Sequence, residues 1–165
     1  MAHDPVIRRA DRPGDLGWMI AAHGELYAAE FGWNAELEAF IAQIVAGFAQ
    51  AHDPRREAAW IAEADGTRVG CVLCVARDDT TAQLRILLVH PDARGRSLGT
   101  RLVRTCIDFA RDAGYRRIVL WTNSVLTSAR RIYEGAGFTL VQEEAHHSFG
   151  QDLVGQYWAR DLEPV

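Results

Sequence analysis

The sequence predicts a mixed α/β fold: one mixed sheet with helices on both faces. Three observations predict it. Segments with helical spacing of apolar residues interleave with segments of strand alternation, in the order βααβββαβαββ. Glycine, proline and aspartate punctuate the segments where turns are needed. The chain has 165 residues, 48% of them hydrophobic, enough for one complete core, and shows no repeat, linker or low-complexity stretch; residues 1–165 therefore read as a single domain.

Val6 to Arg9 reads as a short first strand. Asp11, Pro13, Gly14 and Asp15 signal a helix start, and Leu16, Met19, Ile20, His23 and Tyr27 follow at helical spacing. His23, on that apolar stripe, reads as a satisfied, half-buried histidine. Asn34 is the expected N-cap of a second helix, whose core stripe is Leu37, Phe40, Ile41, Ile44, Val45 and Phe48. Tyr27, Phe31 and Trp33 either wall a pocket or pack the two helices together. Ala58–Glu63 is a strand, Asp65-Gly66 turns the chain, and Arg68–Ala76 returns it. After Asp78-Asp79, Ala82–Val89 is expected to alternate strictly, Leu84, Ile86 and Leu88 against Gln83, Arg85 and Leu87. A helix follows from Leu98 to Ala113, closed by Gly114. Ile118–Thr122 is a core strand that Trp121 continues by packing. Leu126–Ala136 is a helix ended by Gly137, and strands near Thr139–His147 and Leu153–Asp161 flank the turn at SFGQD.

Net charge is -4, which argues against nucleic acid as a partner and weakly favours a cationic acceptor. No apolar run approaches the roughly 18 residues of a membrane span, and MAHDPVIRRADRPGD lacks the apolar stretch of a secretory leader, so the expectation is a cytoplasmic protein with no membrane partner. Cys71 and Cys74 form a C-x-x-C, yet residues three apart on a strand point to opposite faces, so with Cys106 they read as core thiols and no metal is expected.

The segment richest in chemistry is LLVHPDARGRSLGT, residues 87–100, where a strand runs into a basic glycine-containing loop that opens a helix. The first turn of a helix has unpaired N–H groups and partial positive charge, and so suits a pyrophosphate. Gly95 and Gly99 let main chain approach a phosphate closely, and Arg94, Arg96, Arg101 and Arg104 add positive charge to an acidic protein. Neither a Walker A loop nor G-x-G-x-x-G is present.

Arg94 to Gly99 fills the frame Q/R-x-x-G-x-G/A, preceded by Val89-His90-Pro91. Residues 129–138, ARRIYEGAGF, fill A-x-x-L/I-Y-x-x-x-G-F. In these two motifs, their order and their separation, the chain resembles the GNAT acetyltransferase superfamily. The segments HGELYAAEFGW, AQLRILLVHPDARG, LWTNSVLTSARRIYEGAGF and HHSFGQDLVGQ further resemble the acetyltransferase half of MarR–GNAT fusion proteins, standing alone here. Two positions depart from the pattern. Ser97 stands where glycine is usual, either as a strained left-handed residue or as an N-cap. Leu126 stands where asparagine is common, with Asn123 one turn earlier.

The resemblance implies a GNAT fold with a central, mostly antiparallel sheet, and acetyl-CoA as cosubstrate. It implies cofactor contacts from Leu87, Leu88, Val89, Arg94, Gly95, Arg96, Ser97, Leu98, Gly99, Thr100, Asn123 and Tyr133. It also implies that Tyr133 is the general acid for the leaving thiolate, that an amine of an unidentified acceptor is the other substrate, and that a homodimer is one assembly open to the chain. Glu25, Glu30, His146 and His147 are the base candidates, against ordinary surface roles for each. The competing reading is an acetyl-CoA-binding regulatory module without catalysis.

Overall fold

A computed structural model describes residues 3–164. The elements are β1 (Val6–Arg9), α1 (Asp15–Phe31), α2 (Ala35–Ala51), β2 (Ala58–Ala64), β3 (Thr67–Ala76), β4 (Thr81–Val89), α3 (Leu98–Asp112), β5 (Arg117–Asn123), α4 (Thr127–Gly135), β6 (Thr139–Ser148) and β7 (Gln151–Asp161), with a 3₁₀ turn at Pro91–Ala93. This is the order expected from the sequence. The caps follow local chemistry: Asn34 accepts from the Glu36 amide at 3.0 Å to start α2, and Gly114, at φ 92°, turns the chain out of α3.

The strands form one seven-stranded sheet in the order β1-β2-β3-β4-β5-β7-β6. Neighbours are antiparallel except β4 and β5, which run parallel and pair only at Thr81–Gln83 with Arg117–Val119. Each face of the sheet has its own apolar layer, because alternate strand residues point to opposite sides. On one side α3 contributes Leu98, Leu102, Val103 and Cys106, packed on Val72, Cys74 and Leu120. On the other, Met19 of α1 and Leu37, Ile41 and Val45 of α2 pack on Ile61, Cys71 and Leu73. Cys71 and Cys74 thus lie in different layers, and all three cysteines are free and buried. No helix among the described residues is long and apolar enough to cross a membrane, and none of their His, Cys, Asp and Glu side chains cluster as metal ligands.

An ion-pair cluster fastens the first elements. The buried Asp15 carboxylate accepts from both terminal Arg8 guanidinium nitrogens (2.8 and 2.9 Å), Arg68 Nε (2.9 Å) and the Arg12 amide (2.9 Å). Arg8 hydrogen bonds hold this carboxyl well below the ordinary range, against the opposing effect of burial.

Three expectations need correction. Strict alternation fails in β4: Leu84 joins the α3 layer, whereas Ile86 and Leu88 join the α1/α2 layer. The cause is a bulge. Cys71 pairs with Leu88 and Leu73 with Arg85, so β4 spends one residue more than β3, and Ile86 takes φ 49°. A left-handed β-branched residue is strained by about 1–3 kcal/mol, so the rest of the sheet must enforce it. Phe40 and Trp121, both expected in the core, are each 42% exposed.

Candidate active site

Past Gln83, β4 keeps its ladder with β3 on one side, while β5, paired with β7 along its whole length, no longer pairs with β4. Main chain on the open side of β4 is therefore left without a strand. Two cavities flank this fork, of about 420 Å³ and 290 Å³. Tyr27, Leu87 and Leu126 border both, so the cavities meet at these three side chains.

The larger cavity is lined by Leu87, Leu88 and Val89 from β4, by Arg94, Gly95, Ser97, Leu98, Gly99 and Thr100 around the start of α3, and by α4. The loop is shaped by two left-handed residues, Gly95 at φ 84° and Ser97 at φ 57°. Serine at 97 makes no side-chain capping bond, so of its two expected roles the structure shows the strained one. Among the described residues the Gly95, Arg96 and Ser97 amides have no backbone acceptor, and the first-turn amides of α3 are free by helix geometry. A Cβ on Gly95 would meet nothing within 4 Å, whereas one on Gly99 would lie 2.5 Å from Ile132 Cδ1. Gly99 therefore also lets α3 approach α4.

Charge around this cavity differs from the sequence expectation. Arg94 lines it and pairs with Glu30 of α1. Arg96 does not line it; its guanidinium donates to the His3 carbonyl at 3.3 Å. Arg131 of α4 does line it, a cation the sequence reading missed. Its only signal was its place in the tyrosine motif. Free amides, two cations and open space beside Gly95 fit the diphosphate of a CoA-type ligand.

The smaller cavity lies between α1, α2, β4 and β5 and contains Tyr133, His146, Asn123, Arg85 and a set of aromatic rings. Tyr133 is 5% exposed and packs edge-on against Phe138. Burial, then the neighbouring Tyr27, pushes its phenol well above the ordinary value, so it carries its proton at neutral pH. His146 bonds Asn123 Oδ1 at 2.8 Å and Ser148 Oγ at 2.9 Å. With the Asn123 amide oxygen accepting, neutral His146 holds hydrogen on Nε2, and Nδ1 accepts from the Ser148 hydroxyl. Asn123 borders this cavity and not the larger one.

The remaining base candidates are dispersed. Glu30 sits at the larger cavity, held by Arg94. Glu25 lines neither cavity. His147 is exposed, bonded to Asp152 at 2.8 Å, and also lines neither. His23 borders the smaller cavity and corrects the expectation of a satisfied, half-buried ring, because it is fully buried: Nδ1 donates to the Met19 carbonyl at 2.7 Å, and Nε2 has no partner among the described residues. Burial pushes its pKa down to about 4, so the ring is neutral.

The sheet thus forks at its one parallel pair, with free amides at one side of the fork and a protonated tyrosine at the other. The profile of the Acetyltransferase (GNAT) family matches residues 20–138. The chain belongs to that family. N-acetyltransferase family 8 member 2 of Rattus norvegicus is 33% identical over 126 residues, covering 72% of this chain and 53% of the relative. N-acetyltransferase 8B of Homo sapiens is 37% identical over 93 residues, covering 53% of this chain and 41% of the relative. The chain thus spans about half, or less, of the length of these curated relatives. Among solved structures, a Salmonella typhimurium acetyltransferase with its cofactor acetyl-CoA superposes with a TM-score of 0.72 at 22% identity, covering 98% of this chain and 95% of that one, which establishes a shared fold.

Proposed function

We propose that the chain is an N-acetyltransferase that moves the acetyl group of acetyl-CoA to an amine of a small acceptor. The observation that carries this reading is the fork between β4 and β5, which joins a cavity rimmed by unpartnered amides to one holding a buried, protonated tyrosine. Acetyl-CoA supplies an activated acetyl thioester when bound. The amides of residues 95–100, with Arg94 and Arg131, would hold its diphosphate. The open edge of Leu87, Leu88 and Val89 would pair with its amide-bearing arm, as an added strand does. An amide on that edge is the natural donor to a developing oxyanion, a contact worth about 3 kcal/mol of barrier. Tyr133 holds a proton at Oη for the leaving sulfur. His146 borders the acceptor cavity together with the buried His23, and its Nδ1, on exchanging the Ser148 hydroxyl for solvent, would take the amine proton.

A cavity of 290 Å³ matches a small molecule better than a folded protein surface. The test is release of free CoA thiol across a panel of primary amines, with acetyl-CoA affinity measured in parallel. Turnover that requires both substrates is expected. Tight acetyl-CoA binding without transfer to any amine would establish the regulatory module instead.

A further inference from the structure

Resting on the acetyl-transfer reading, we propose that the acceptor is an amine bearing both a carboxylate and an aromatic group, an aromatic α-amino acid in its simplest form, and that Arg85 binds the carboxylate.

Among the described residues, the smaller cavity is lined by one permanently charged side chain, Arg85, and by no aspartate or glutamate. Arg85 lies two residues beyond the last β4–β5 pair and one before the bulge at Ile86, where the fork opens. Among nearby arginines, Arg8 and Arg68 pair with Asp15 and Arg94 with Glu30, Arg9 lies over the Trp60 and Phe109 rings, and Arg131 at the larger cavity is also without a carboxylate among the described residues. Arg85 has none among the described residues, and burial alone lowers its pKa. A half-buried guanidinium without a counter-charge is unfavourable unless a ligand provides one, and a planar carboxylate fits its fork of donors. Two observations therefore favour a carboxylate on the acceptor and disfavour a polyamine: the unpaired cation, and the absence of any acid to receive a second ammonium. The cavity's own charge is opposite in sense to the molecule's net charge.

The walls supply the second half of the argument. Trp33 and Phe149 lie 5.2 Å apart and Phe149 and Phe40 6.1 Å apart, centroid to centroid, forming a continuous aromatic side. Trp121 borders the same space and packs against Gly155, where an added Cβ would lie 2.0 Å from the ring. Phe40 and Trp121 are the two exposed aromatics that core packing left unexplained, and both border this cavity. Rings held in this way bind a flat apolar group by offset or edge-on stacking.

The test compares L-phenylalanine, phenethylamine, L-alanine and spermidine as acceptors for the wild-type chain, Arg85→Gln and Arg85→Lys. The expected result is a kcat/KM for L-phenylalanine at least about tenfold above each of the others, the factor of one charge-assisted contact or one ring pocket. In Arg85→Gln the preference for phenylalanine over phenethylamine should shrink to under about threefold, through KM, with partial recovery in Arg85→Lys. Equal or better use of phenethylamine or spermidine, or a preference that survives Arg85→Gln, overturns the proposal. Binding of the same ligands, followed by tryptophan fluorescence without acetyl-CoA, separates the two readings. If no amine is acetylated, acetyl transfer fails, but carboxylate-dependent binding lost in Arg85→Gln still supports the anion subsite, and its absence removes it.

Discussion

Ser97 enters α3 at φ 57° with no capping bond to offset the strain. A left-handed residue with a Cβ is disfavoured by about 1–2 kcal/mol, while glycine there would lose about 0.4–1 kcal/mol more unfolded-chain entropy. The balance favours glycine, so Ser97→Gly is expected to raise stability by up to about 1 kcal/mol in urea denaturation, with acetyl-CoA affinity kept or improved. Loss of stability would mean that the hydroxyl does something the fold does not reveal. At Tyr133 the expected outcome is kinetic. Tyr133→Phe should lower kcat by about a hundredfold or more, with acetyl-CoA affinity changed less than about threefold, as loss of a proton donor predicts. Both residues were legible in the sequence because each occupies a motif frame. Arg85 and Arg131 were not: an arginine gains meaning from the absence of a partner, and partners are a property of the folded chain.

Among elements, α1 carries two buried polar groups, Asp15 at its start and His23 at its middle, that both weaken the fold on acidification but in different pH windows. Asp15 joins α1 to β1 and β3 through Arg8 and Arg68. Asp15→Ala would leave Arg68 without a carboxylate and Arg8 with Glu63 alone, and is expected to destabilise the chain by about 3 kcal/mol, read from the denaturation midpoint. Its depressed carboxyl contributes stability that is complete above the unfolded value near 4 and lost only in stronger acid. His23 acts at higher pH. Its folded value, about 4, lies below the ordinary 6.5, so stability is full above 6.5 and falls as pH drops toward 4. The loss across that window is on the order of 3 kcal/mol, and His23→Leu should flatten it. An unchanged slope in that variant would place the titrating group elsewhere. The bulge in β4 escaped the sequence reading for a related reason. Leu84 to Val89 is apolar enough to satisfy either register, so alternation could not show that one residue slips. Trp121 and Phe40 were assigned to the core by the same logic: period finds the face of an element, but not whether another element covers it.

For the molecule as a whole, element order and the strand–loop–helix junction at residues 87–100 followed from periodicity and turn residues, because each local preference agrees with the fold. The fork did not follow, since it depends on two strands that part after three pairs and on neighbours far apart in sequence. The fork also carries the ligand-binding proposal. It requires residues 87–89 and 95–100 to act together on one ligand, from a strand edge and a helix start. Backbone amide shifts of the chain titrated with acetyl-CoA test this directly. The account predicts that the largest changes fall at Leu87–Val89 and Gly95–Thr100, and that they saturate together. Saturating ligand that leaves those amides unmoved, or that shifts only residues remote from the fork, would contradict it.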